Sequence, residues 1–381
     1  MKIPFNKPYL APGEEEILLD SYRSRAHCGN HAYGSRCVEL LQKRYGLGGV
    51  FLTPSCTAAL EMGAVLAGIG PGDEVILPSY TFSSTANAIV LFGGRPVFCE
   101  VEPDTMNVDV EHLASLITER TKMIVPIDYA GIPCDINRIM ALAGKMGIPV
   151  MQDAAQSLHS SHNGQSCGAV ADLAVFSFHE TKNFTCGEGG ALVVNRPDWL
   201  ERASFLQEKG TDRSLVLKGV RSKYQWVDKG SSYLLADPLA AMLYAQLDKA
   251  EFITSLRARL TAAYSELFAP YEARGCLRTP HAPDGAILNH HAFFVIFDSE
   301  ANQQEFLARL IRRDIYAYIG YMPLHSSPMG ARFGYSPEDL PVTMDLASRL
   351  VRLPFYVDLA EEGLEYCLEG MRVVLRELYG E

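Results

Sequence analysis

The chain has no apolar run near the 18 or so residues that cross a bilayer, and its start, MKIPFNKPYL, lacks the apolar core of a signal peptide. These absences predict a cytoplasmic protein. Internal repeats, low-complexity tracts and blocks of like charge are missing too, which excludes solenoids and interaction tails. Nine cysteines are scattered from Cys28 to Cys367 without a C-x-x-C pair, so reduced, mostly buried thiols are expected. No H-E-x-x-H or comparable spacing supports a metal, and none is expected; His290 and His291 are adjacent on a strand-like run, where they would face opposite ways. Positive charge is short, since 34 Lys and Arg against 45 Asp and Glu leave a net of −11, which repels nucleic acid and anionic membranes. The triphosphate-binding G-x-x-x-x-G-K-[ST] pattern is absent. Gly68-Ile-Gly70-Pro-Gly72 precedes a strand instead of following one, so a dinucleotide site fails as well.

What is present is apolar residues in quantity, 48% of 381, enough for two or three compact units. Short runs rich in Val, Ile and Phe read as strands over 74–78, 96–101, 123–127, 149–152, 173–178 and 191–195. Helix-length stretches lie between several of them, at 83–91, 110–118 and 136–145. This rhythm predicts an α/β fold, a three-layer α/β/α domain with a mainly parallel sheet. Residues 238–271 read as one long amphipathic helix leading out of it. A strand over 291–297, a helix over 303–313 and a terminal helix from about 359 then predict a smaller α+β domain. The expected boundary divides a large domain, 1–250, from a small one, 251–381.

The chemistry concentrates where strands end. Phe176-Ser-Phe-His-Glu-Thr-Lys182-Asn-Phe-Thr-Cys-Gly-Glu-Gly-Gly190 carries a strand into a loop with one lysine. An ammonium poorly solvated at a strand end has its pKa lowered toward the range of a nucleophilic amine, as a Schiff-base lysine requires; a plain surface lysine is the alternative. Asp153 emerges at the carboxyl edge of the preceding strand, where open α/β sheets bind ligands. It could keep a pyridinium nitrogen protonated, or cap the helix start Ala-Ala-Gln. The helix start in Leu52-Thr-Pro-Ser-Cys-Thr57-Ala58 offers N–H groups and a hydroxyl to a phosphate dianion. Phe82, beyond another strand end, could stack on a flat cofactor or belong to the core.

Taken in order and spacing, PSCTAALEM, PSYTFSSTANA, QDAAQS, FSFHETKN and CGEGGA resemble the DegT/StrS family of fold-type I pyridoxal-phosphate sugar aminotransferases. With EKGTDRS, GSSYLLAD and YMPLH, the set looks most like the subgroup that aminates C4 of dTDP-4-dehydro-6-deoxyglucose. The resemblance implies pyridoxal 5'-phosphate as cofactor, L-glutamate as donor, and a homodimer with shared sites. It makes Lys182 the Schiff-base lysine and acid/base, and Asp153 the partner of the ring nitrogen. Phe82 would stack on the ring; Thr57, Ala58 and Ser177 would hold the phosphate, and Gln156 would touch the ring hydroxyl. Ser232 would reach the phosphate from the neighbouring subunit. Amination of C3, a UDP sugar, and a protein that holds the cofactor without turnover are the other readings.

An acidic protein must still attract a diphosphate. Residues 196–229 hold eight basic and five acidic side chains, a local excess of +3. Lys209 and Arg213, flanking Gly210, are the expected contacts, with a solvated helix face as the alternative. His325, in YMPLH, is expected to face substrate or else to be buried and satisfied by backbone; His179 could sit near Lys182 or simply pack.

Overall fold

The structure, a computed structural model, describes residues 1–380. Its strands are buried on both faces, which is why they read as continuous apolar runs. In Leu173–Ser177, Leu173 and Val175 enter one apolar cluster while Ala174 and Phe176 enter another across the sheet. Helices Cys56–Ala67, Ser83–Val90 and Leu200–Gln207 cover the first face. Ala32–Tyr45 and Asp237–Asp248, with Val110–Ser115 and Ile136–Met146, cover the second, completing three layers.

One half of the sheet runs Gly49–Thr53, Gly190–Val194, Leu173–Ser177, Met151–Asp153, and the other Arg95–Cys99, Glu74–Pro78, Thr121–Ile124. Parallel bridges Ile124–Val150 and Ile127–Asp153 join the halves into one sheet. Every pairing is parallel except the two made by Gly190–Val194, which runs against both neighbours. That reversal follows from the loop bearing Lys182: it turns the chain straight back beside the strand it left, so no crossover intervenes.

The expected single helix over 238–271 is broken at Lys249 into Asp237–Asp248 and Ala250–Ala273. Beyond it, an antiparallel sheet in the order Leu277–Arg278, Phe294–Phe297, Leu350–Arg352, Tyr318–Ile319 packs with Glu300–Ile311 and Leu364–Tyr379. Ile3 pairs with Ile315 and is buried in this C-terminal core, so the first residues of the chain pack with the last. All nine cysteines are free and six are buried. Among the described residues no helix is long and apolar enough to cross a membrane, and no cluster of side chains could hold a metal ion.

Candidate active site

The register of three strands assembles the floor of the site. Gly190 lies opposite Thr53 on one side and Ser177 on the other. The helix Cys56–Ala67 starts directly above it, and a Cβ at Gly190 would sit 2.4 Å from the Cys56 nitrogen. Only glycine lets the helix start come this close to the sheet. Ser55 caps that helix, its hydroxyl accepting the Ala58 N–H at 3.1 Å. The amides of Cys56 and Thr57, in the first turn, have no carbonyl within the helix to bond. Thr57 Oγ1 donates to Ser84 Oγ at 2.8 Å, tying this helix to the one that follows Phe82.

Asp153 ends its strand wholly inside the protein. Its Oδ2 accepts from Thr85 Oγ1 at 2.8 Å and its Oδ1 from the Ala155 N–H at 3.2 Å. Burial pushes its carboxyl above the usual range, while Thr85, Ala155 and the Lys182 charge pull the other way. A carboxylate can accept about four hydrogen bonds, and two protein donors leave it able to face a cationic ring nitrogen. Phe82 precedes the Thr85 helix as its N-cap and stays 60% exposed, its ring 6.1 Å from that of Tyr321. An exposed flat ring at the start of the helix whose Thr85 holds the buried carboxylate suits an aromatic cofactor. The anion cradle, the carboxylate and the ring therefore fit pyridoxal 5'-phosphate on this chain's own geometry.

Lys182 is half-buried in a loop closed by backbone bonds from Phe178 to Gly189, Glu180 to Gly187 and Lys182 to His179. With Ala155, Gln156, Ser177, Asn289 and His291 it lines a small cavity. Gln156 is held at both ends, its Oε1 accepting the Ala130 N–H at 2.7 Å and its Nε2 donating to Tyr321 Oη at 3.1 Å. His179 turns instead to Thr181 and Glu188.

Three expected contacts stand differently. His325 is wholly buried: Nδ1 meets Ser79 Oγ at 2.6 Å and Nε2 faces the Pro337 carbonyl, so it braces the strand end below Phe82 and is out of reach of any ligand. Burial lowers its pKa. Arg213 pairs with buried Glu208 at 3.7 Å, and Arg196, Arg202 and Arg221 likewise pair with Asp198, Asp228 and Asp212. The excess of +3 therefore rests on exposed lysines, among them Lys209, whose backbone N–H bonds the Ser231 carbonyl. Ser232 is exposed and bridged to Glu208.

Sequence reasoning missed Thr85, Asn183, Asn289 and His291. His291 Nδ1 lies 2.8 Å from Asn183 Oδ1, and Asn183 Nδ2 donates to the Asn289 carbonyl, which fixes the residue next to Lys182. Burial, and then the Lys182 charge, hold the His291 pKa well below normal, so it stays neutral. The adjacent Lys-Asn pair was the one sequence signal for this network.

A three-layer fold with a lysine, a buried aspartate and a phosphate cradle at one sheet end defines a pyridoxal-phosphate-dependent aminotransferase of fold type I. The profile of the DegT/DnrJ/EryC1/StrS aminotransferase family matches residues 39–372, and the chain belongs to that family. The uncharacterized protein MJ1066 of Methanocaldococcus jannaschii is 31% identical over 331 residues, 85% of each chain. Among solved structures, Spr1654 from Streptococcus pneumoniae, described as a sugar aminotransferase, superposes with a TM-score of 0.91 at 25% identity, covering 99% of this chain and 98% of that one. It has also been solved in PMP and PLP forms. The aminotransferase TlmJ from Streptoalloteichus hindustanus gives 0.90 at 28% identity, covering 99% and 100%.

Proposed function

We propose that the enzyme moves an amino group from L-glutamate to C4 of dTDP-4-dehydro-6-deoxy-D-glucose, giving a dTDP-4-amino-4,6-dideoxyhexose and 2-oxoglutarate. The observation that carries the amino-transfer chemistry is Lys182 lining a cavity with Ala155 and Gln156, just past buried Asp153, and near enough for its charge to bear on that carboxyl. The choice of C4 and of a dTDP sugar is supported by the motifs EKGTDRS, GSSYLLAD and YMPLH.

Bound pyridoxal 5'-phosphate supplies an electron sink. Asp153 would keep the ring nitrogen protonated, Phe82 would cover the ring, Gln156 would meet the ring hydroxyl, and Thr57, Ala58 and Ser177 would receive the phosphate. Ala58 takes part through its position in the cap, since its own N–H is bound to Ser55. Lys182 would anchor the cofactor, and its Nζ, when free, would be the base placed to take the proton from the donor's α-carbon. In the second half-reaction the same amine delivers a proton to the sugar carbon that receives nitrogen. Lys209, with Arg213 behind it, offers charge to the diphosphate.

A homodimer completes the proposal, with Ser232 of one subunit reaching the phosphate held by the other. It is supported by Leu217, Val220, Tyr224 and Trp226, which stand 59–81% exposed in the same stretch of chain. The test is the visible spectrum of the cofactor-loaded protein. L-glutamate should bleach the bound-cofactor band and the keto sugar restore it, only with Lys182 present, and NMR of the product assigns C4. An amine at C3, or preference for a UDP sugar, would replace the substrate reading. A band indifferent to every amine would leave a cofactor-binding protein without turnover.

A further inference from the structure

Among the described residues Arg352 has no counter-ion. It ends the strand Leu350–Arg352, opposite Phe294 and Tyr318. Val351 points into the C-terminal core, whereas Leu350 joins Tyr80 and Tyr129 in the cluster between the two sheets, so Arg352 shares that inter-sheet face. Its guanidinium lies 5.3 Å from the Phe5 ring and 5.9 Å from the Tyr321 ring. Its buried Nε has no hydrogen-bond partner. The titratable groups facing it are Tyr129, Tyr321, which is within hydrogen-bonding reach, Tyr80 and His291; none of these is a carboxylate.

A desolvated charge without a partner is costly, and a guanidinium's planar fork fits a carboxylate. Elsewhere the protein does pair such groups. A cavity that shares no lining residue with that of Lys182 is lined by Arg278, His281 and Arg349, already matched with Asp104, Glu272 and Asp345. Arg352 instead shares a cavity with Thr181 and His291, and His291 also lines the Lys182 cavity. The Tyr321 beside it is the residue that holds Gln156 and faces Phe82. The guanidinium, with its Nε unpartnered and no acid beside it, therefore borders the reacting end of the site, where an amino acid carries a carboxylate and a keto sugar carries hydroxyls.

We propose that Arg352 receives the α-carboxylate of the amino donor, and so serves one half-reaction and not the other. This rests on the donor being an α-amino acid, as in the function proposed above. The test measures the two half-reactions separately by absorbance in Arg352→Gln and Arg352→Lys. The glutamine variant should need roughly 100-fold more L-glutamate, the lysine variant less extra, and both should consume the keto sugar from the amine-charged form within about 3-fold of wild type. Calorimetric affinity of the amine-charged protein for 2-oxoglutarate should fall by the same factor as the glutamate response. In the wild type, 4-aminobutanoate, which lacks the α-carboxylate, should serve at least roughly 100-fold worse than L-glutamate; equal use would overturn the inference even if the variants do not fold. Equal loss in both half-reactions, no loss in either, or equal use of the two amines overturns the inference while leaving aminotransfer intact. A wild type that answers to no amino donor overturns the function beneath it.

Discussion

In the proposed function the sheet end around Asp153 and the stretch from Lys209 to Ser232 face the same demand, binding an anionic ligand, and the two are built in opposite ways. At the sheet end each polar group is fixed by its own chain: Asp153 by Thr85, Thr57 by Ser84, Gln156 by Ala130, Asn183 by His291. In the other region the arginines are spent on neighbouring acids while Leu217, Val220, Tyr224 and Trp226 stand in water. The first region is organised before any ligand arrives. The second has the composition of a surface that another chain covers, apolar and aromatic with lysine at its rim.

Breaking the first region should give the largest effect. Lys182→Ala removes the one group that can carry the proton, and turnover should fall about 10⁴-fold with the fold intact. Asp153→Asn keeps the Thr85 contact but loses the charge facing the ring nitrogen, and should cost about 10²-fold. Single-turnover rates with L-glutamate, read beside circular dichroism, check both. If Asp153→Asn is as active as wild type, Asp153 is a helix cap and nothing more.

The second region is probed by assembly. Trp226→Ser removes the most exposed aromatic of the stretch, and should weaken the proposed dimer by roughly 2 kcal/mol, about 30-fold in its dissociation constant. Sedimentation over a concentration series measures it. Catalysis at high protein concentration should be spared, since the sheet-end groups are untouched. An unchanged self-association would mean that the stretch meets solvent or another partner.

What was legible in the sequence divides along similar lines. Strands buried on both faces leave an apolar run that survives without tertiary knowledge, so 74–78 and 173–177 were placed within a residue. Gly49–Thr53 was not legible because it is only five residues long and its last two, Leu52 and Thr53, fall inside the phosphate motif. The antiparallel sense of Gly190–Val194 was not readable, for direction is set by how the Lys182 loop closes. The +3 excess counted charges without their partners, and the Arg213–Glu208 pair is formed only by the fold. His325 and His291 are the sharpest case. Each meets its partner across a long sequence gap, Ser79 for one and Asn183 for the other, and spacing carries no trace of either contact.

Gly190→Ala tests whether close approach is what makes the phosphate cradle. The new Cβ would meet backbone of Ser55 and Cys56, which cannot rotate away as a side chain could. A loss of about 1–3 kcal/mol is expected from the forced shift, read as a lower denaturant midpoint. Weaker cofactor retention should accompany it, while self-association through the 209–232 stretch stays as it was. A stable variant with normal retention would separate the cradle from the glycine.

The smallest effect comes from the buried histidines. His291 and His325 are both held neutral, their pKa values lowered first by burial. In the unfolded chain each titrates near about 6.5, so between that value and the lower folded one the unfolded state binds more protons. Stability must then rise with pH across this window and be lost as the solution is acidified below about 6.5, by up to about 1.4 kcal/mol per pH unit for a group as enclosed as His291. Unfolding midpoints from pH 7.5 to 5 measure the slope. His291→Asn should flatten it and also loosen Asn183 beside Lys182. His325→Asn should flatten it without changing the L-glutamate requirement, because it braces Ser79 and touches no ligand. A slope that both variants leave unchanged would assign the acid sensitivity to other groups, and a raised glutamate requirement in the His325 variant would return that residue to the substrate.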